Sequence, residues 1–118
     1  GLKDTLMVLK KADENTFYQL PTGTSYYTYG GTWDYLDKIL VSQSLLDSKE
    51  LKVVQNSFRI LGFPELSNPY EVRNPMRFTH GTTYERIPNR YNFQANSPNQ
   101  TGVSDHYPVR ILLERRTN

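Results

Sequence analysis

Apolar and polar residues alternate in short blocks along the chain, and each block predicts a short element. Leu2, Leu6 and Leu9 recur at i, i+4 and i+7, with Lys3, Lys10 and Lys11 off that stripe, which predicts a helix over residues 2–12. Asp13-Glu14-Asn15 ends the pattern. Tyr26, Tyr27 and Tyr29 suit an extended segment, and Gly30-Gly31 marks a turn after it. Tyr35 to Ser42 reads as a strand in which Asp37 shares a face with Ile39 and Val41. That is a local conflict. An unpaired carboxylate on the side a sheet buries would cost on the order of several kcal/mol, so Asp37 needs a partner. Ser44-Leu45-Leu46 suits one helical turn, and Leu51 to Leu61 reads as a second strand centred on Val53-Val54. Val109 to Glu114 reads as a closing strand with Val109, Ile111 and Leu113 on one face and Pro108 at its start, where a missing N–H does least harm.

Between Phe63 and Gln100 the pattern changes. Pro64, Pro69, Pro75, Pro88 and Pro98 punctuate it, so regular structure should be short and the segment should form a long arm. Arginines and aromatics interleave through it, unlike the aromatic-poor composition of disordered tracts. Arg73, Arg77, Arg86 and Arg90 are candidates to meet phosphates, and Tyr91, with Tyr84 and Phe93, could stack on a base. Packing of the arm onto the sheet is the other use of the same residues. His80, beside Gly81, suits a loop.

Composition narrows the class. The 118 residues make one small domain or a piece of a larger one. Only 36% are hydrophobic but 13% are aromatic, so tyrosine and phenylalanine must supply much of the core. The net charge of +2 is too small to argue for nucleic acid. Its distribution is more telling: every Lys or Arg after Lys52 is arginine, the residue suited to bidentate contact with phosphate or carboxylate. Without cysteine there is no disulfide framework and no thiolate metal site. The apolar runs are too short to span a membrane. The compartment stays unknown: no signal peptide is visible, and a secreted or periplasmic location would require one on a longer parent chain.

Ser104-Asp105-His106-Tyr107-Pro108-Val109 sets an acid beside an imidazole just before a strand. Histidine is the side chain best matched to proton transfer near neutral pH, and it needs a partner to fix its tautomer. Asp105 is adjacent in sequence and projects to the other side of an extended backbone, which leaves Asp37 as the better partner for His106 if the two segments are neighbouring strands. The Ser104–Val109 stretch resembles the C-terminal Ser-Asp-His-aromatic-Pro-Val signature of the endonuclease/exonuclease/phosphatase (DNase I-like) superfamily. Tyr35 to Ser42, with the following Ser42-Gln43-Ser44-Leu45-Leu46, resembles that family's preceding Asp-bearing strand and Ser-x-x-Leu turn.

The resemblance implies an α/β fold, the C-terminal half of a four-layer α-β-β-α sandwich. It would have a mostly antiparallel sheet, an N-terminal helix and a long loop arm, with residues 1–118 as the C-terminal part of the domain. It implies that His106 contacts the scissile phosphate as base or charge stabiliser, that Asp37 holds His106, and that Asp105 is a metal ligand or outer-shell partner. Ser104 would support the loop and Trp33 would pack beneath the site. The parent would be a hydrolase using Mg2+ or Mn2+ on phosphodiesters, most simply a nuclease. The family's upstream metal-binding Glu and its Gly-Asp-x-Asn segment are not found in this sequence. The chain alone is therefore expected to hold no metal tightly, to be inactive, and to need either the N-terminal half of the domain or self-association to cover an apolar face. The alternatives are a non-catalytic nucleic-acid or protein binding module, or a phosphatase acting on inositol phosphates or lipid headgroups.

Overall fold

The computed structural model describes residues 1–28, 30–73, 82–97 and 101–116. The fold is mixed α/β, and its strands are short and pair antiparallel. The chain opens with a strand, β1 (Leu2–Asp4), followed by helices α1 (Thr5–Ala12) and α2 (Glu14–Gln19). β2 (Ser25–Tyr27) and β3 (Thr32–Asp34) form a hairpin, and β4 (Leu40–Ser42) returns to pair with β1. After α3 (Gln43–Asp47) come β5 (Leu51–Val53), β6 (Arg59–Ile60), a 3-10 turn (Pro64–Leu66), and the hairpin of β7 (Ser67–Arg73) and β8 (Thr82–Pro88). β9 (Val109–Arg110) pairs with β6 and β10 (Leu113–Arg115) with β5.

The first helix is shorter than its leucine spacing suggests. The Asp4 carboxylate accepts the Leu6 N–H at 3.0 Å and caps α1 there, so Leu2 falls in β1 and is 67% exposed, while Leu6 and Leu9 are buried. Asp13 does not end helical structure. Its side chain accepts from the Thr16 N–H and hydroxyl and starts α2, and these bonds hold its carboxyl below the usual range. Gly31, at φ 68, sits in the expected β2–β3 turn, where its N–H donates to the Tyr27 carbonyl.

Tyr35 to Ser42 was expected to be one strand. Only Leu40–Ser42 pairs, although the inward alternation of Tyr35, Asp37, Ile39 and Val41 runs through the whole stretch. Leu51 to Leu61 is likewise not one strand. A turn with Asn56 at φ 58 breaks it into β5 and β6, and asparagine is among the few side chains that accept that conformation. The closing strand splits in the same way, because Leu112 turns its backbone to Ser57 and Val54: the Leu112 N–H donates to Ser57 Oγ and its carbonyl accepts the Val54 N–H. The arm also differs from expectation. Ser67–Arg73 and Thr82–Pro88 pair over seven residues each, the longest ladder among the described residues, with Pro69 and Pro88 tolerated because a two-stranded ribbon has only edges. A single sheet is thus replaced by small ribbons wrapped on a common core.

That core is Leu6, Leu9, Phe58, Ile60 and Tyr107, ringed by Phe17, Trp33, Tyr35, Ile39 and Val109 among others. Trp33 packs as expected, 5.2 Å from the Tyr26 ring and stacked 6.4 Å from Tyr107. Tyr107 is 2% exposed, and its hydroxyl lies near Ser67 at the base of the β7–β8 hairpin. Burial raises the Tyr107 phenol above its ordinary value, with the Ser67 contact and the nearby Arg86 charge opposing that shift. A raised phenol adds stability that is complete below pH 10, its unfolded value, and is lost as pH rises through the higher folded value. Tyr107→Phe should therefore cost up to about 1 kcal/mol near neutrality, through the lost polar contact of the hydroxyl with Ser67. Urea melts across pH should show that gap closing above pH 10; a gap that widens there would contradict the sign of the shift.

Candidate active site around His106

The chemistry-bearing residues are brought together by a buried threonine. Thr24 is fully buried, and its backbone carbonyl accepts the Tyr107 N–H at 2.7 Å. A bridge between Ser25 and His106 continues this contact, so His106 lies alongside β2. The Thr24 side chain reaches the other way. Its Oγ1 accepts the N–H groups of Leu36 at 3.1 Å and Asp37 at 3.3 Å, and donates to the Asp34 carbonyl at 3.3 Å. One residue therefore fixes both the Asp37 backbone and the segment that carries His106. Gly23 makes this possible: a Cβ there would stand 2.7 Å from the Asp34 carbonyl oxygen.

On this scaffold His106 Nδ1 lies 2.6 Å from Asp37 Oδ2, across 69 residues of sequence. An ionised carboxylate only accepts, so the Nδ1–H donates and the Nε2 lone pair is left open. About a third of each side chain is exposed, at 34% for His106 and 35% for Asp37. The conflict posed by an inward Asp37 is thus resolved by the imidazole. The two segments do not pair with each other as strands; both are hung on Thr24 and Ser25.

The other side of the imidazole faces Asp105. The Ser104 hydroxyl accepts the His106 N–H at 3.1 Å and curls the backbone, as its expected supporting role requires. This curl returns Asp105 Oδ1 to 3.9 Å from Nε2, where a straight extended backbone would have sent it away. Asp105 Oδ2 is 3.7 Å from Arg90 Nη2, both groups being largely exposed. Such a pair is worth only about 0–1 kcal/mol, so neither group is locked against a ligand. The Arg90 carbonyl accepts the Gly102 N–H at 2.8 Å, which clamps the arm beside the site. A Cβ at Gly102 would meet the Asn89 carbonyl at 1.7 Å, so this clamp requires glycine.

The remaining candidates divide. Tyr91 follows Arg90 and is 67% exposed, and Phe93 is 80% exposed. Arg86 is occupied elsewhere: its Nε donates to Ser67 Oγ at 2.8 Å and its Nη2 to the carbonyls of Pro64 and Ser67. It holds the base of the hairpin. Arg73 ends β7, its side chain and that of Tyr84 lie outside the described residues, and so do Arg77, Phe78 and His80. Thr24 has no mark in the sequence: one threonine beside a glycine carries no signal of its role. Among the described residues no three His, Cys, Asp or Glu side chains cluster to hold a metal ion. With Asp37 committed to His106, Asp105 alone offers an open carboxylate, so these residues do not by themselves fit a divalent cation.

Thr24→Val keeps the shape and removes the hydroxyl. It leaves the Leu36 and Asp37 N–H groups without an acceptor and should cost about 1–3 kcal/mol. Thr24→Ser keeps the oxygen and should cost less, about 1 kcal/mol for the lost methyl. Equal urea midpoints for the two variants would show that the hydroxyl does not carry the scaffold.

No model of a known protein family, no curated protein and no solved structure matches this chain, so a functional reading rests on its sequence motifs and this geometry.

Proposed function

We propose that the chain is the C-terminal part of a metal-dependent phosphoesterase, a nuclease that hydrolyses phosphodiester bonds, within a four-layer α-β-β-α sandwich. The observation that carries this reading is the 2.6 Å contact between His106 Nδ1 and Asp37, with Nε2 3.9 Å from Asp105, which in turn pairs with Arg90. It joins the two sequence segments on which the resemblance to the endonuclease/exonuclease/phosphatase superfamily rests.

In such a reaction the oxygen of water bonds to phosphorus, the ester P–O bond breaks, and the departing oxygen takes a proton. His106 supplies a nitrogen whose tautomer is held by Asp37. Neutral, Nε2 accepts a proton from the water or from an acid beside it; protonated, it donates to a phosphoryl oxygen. Arg90 can leave its weak pairing with Asp105 and neutralise a phosphate oxygen, while Tyr91 offers an exposed ring for a base. A divalent cation would stabilise the developing charge, and by the resemblance its remaining ligands come from the N-terminal half of the domain. Leu2 and Leu40 lie on one face of the β1–β4 ribbon, and Leu36 is exposed on the segment leading into β4; these apolar side chains would be covered by that half or by a second copy.

The test is hydrolysis of single- and double-stranded DNA with Mg2+ or Mn2+, by this chain and by the protein extended with its upstream coding segment. The 118-residue chain should show no appreciable cleavage. The extended protein should cleave, and His106→Ala and Asp37→Ala should each lower kcat by about 10²–10⁴-fold. Cleavage that survives loss of His106 would refute the assignment. An extended protein that binds DNA without hydrolysing it would leave the non-catalytic binding module as the reading.

A further inference from the structure

Tyr107 points away from its neighbour His106, into the wall of an open groove of ≈ 720 Å³ that His106, Asp37 and Asp105 do not line. Three arginines do: Arg59, Arg86 and Arg110. Each is tethered through neutral acceptors. Arg59 Nη1 donates to the Asn56 and Phe58 carbonyls at 2.8 and 2.7 Å, and Arg110 Nη1 to the Ser57 carbonyl at 2.8 Å. Arg86 is fixed on Ser67 and Pro64. These bonds aim the guanidinium groups without cancelling their charge. Among the described residues no Asp or Glu lines the groove; Asp13, which feels the Arg59 charge, lies outside the lining.

The register sharpens the point. Arg59 and Arg110 stand directly opposite each other across the β6–β9 ribbon. Like charges in that position repel and weaken a ribbon of only two residue pairs. An anion between them removes the repulsion and uses the forked donors left over from the carbonyl bonds. The rim adds aromatic faces, Tyr18 at 69% and Phe63 at 51% exposed. The volume lies within the range of small-molecule sites.

We propose that this groove binds a nucleotide, free or as a unit of a single strand, with its phosphate between Arg59 and Arg110 and its base against Tyr18 or Phe63. The proposal does not rest on phosphoester hydrolysis. Trp33, the single tryptophan, lines the groove and serves as the reporter.

The test follows Trp33 fluorescence in the whole chain during titration with 5′-AMP, adenosine, inorganic phosphate, a short oligothymidylate and a polyglutamate peptide. Saturable changes are expected with 5′-AMP and the oligonucleotide, with adenosine and phosphate at least about tenfold weaker, because base stacking and charge each contribute. Oligonucleotide affinity should fall roughly tenfold between 50 and 200 mM salt if two or three phosphates are neutralised. Arg59→Gln with Arg110→Gln relieves the cross-strand repulsion, so it should fold and bind at least tenfold more weakly; Tyr18→Ala should weaken 5′-AMP by about tenfold. His106→Ala should bind as the parent does. No saturable change with 5′-AMP or the oligonucleotide, or adenosine binding as well as 5′-AMP, would overturn the proposal. So would undiminished binding by the double variant, polyglutamate binding as tightly, or loss of binding in His106→Ala. Should the double variant fail to fold, Tyr18→Ala and the salt dependence decide.

Discussion

A single buried threonine links the segments that carry Asp37 and His106. Thr24 Oγ1 satisfies two backbone N–H groups of the Asp37 segment, and the carbonyl of the same residue takes the N–H of Tyr107. Hydrogen bonds to backbone are directional, so the carboxylate and the imidazole arrive at a set distance rather than drifting with their loops. The cost of leaving partly buried N–H groups unpaired favours this arrangement, because displacement of the Asp37 segment strips them of their acceptor. A core with few large aliphatic side chains could not impose such alignment by packing alone.

The same logic extends through Tyr107. Its ring fills the core between Trp33 and the helices, and its hydroxyl reaches Ser67, which also receives Arg86. The base of the arm's hairpin therefore lies beside the segment that presents His106. Ser104, Asp105 and Arg90 complete the other side of the imidazole with exposed, weakly paired groups. Rigid support behind the imidazole and loosely held charge in front of it suit a group that meets a substrate. They also separate the His106 face from the arginine-lined groove on the Tyr107 side.

What could be read from the sequence was one long-range side-chain contact more than the architecture. The pairing of Asp37 with His106 followed from the inward position of an acid on an alternating segment, and that alternation persists where no strand pairs. The lengths of elements were not legible, because they are set by single residues. Asp4 caps α1 and converts the first turn to β1, and Asp13 starts a helix where a break was expected. Asn56 and Leu112 break two apolar runs that periodicity alone would join. The prolines of the arm suggested a loop, yet the β7–β8 ribbon accepts Pro69 and Pro88. Arg86 was readable as a phosphate ligand by type alone; its bonds to Ser67 and Pro64 could come only from tertiary structure.

Asp37 accepts the Nδ1–H of His106 and leaves Nε2 as an open base. Long-range ¹H–¹⁵N correlation spectra of the imidazole groups, at mildly alkaline pH, test it most directly. Of the two histidines, one, assigned by its loss in His106→Ala, should show a protonated Nδ1 and an unprotonated Nε2, and should revert to mainly Nε2–H in Asp37→Ala. A His106 ring already protonated at Nε2 and indifferent to Asp37→Ala would contradict the account.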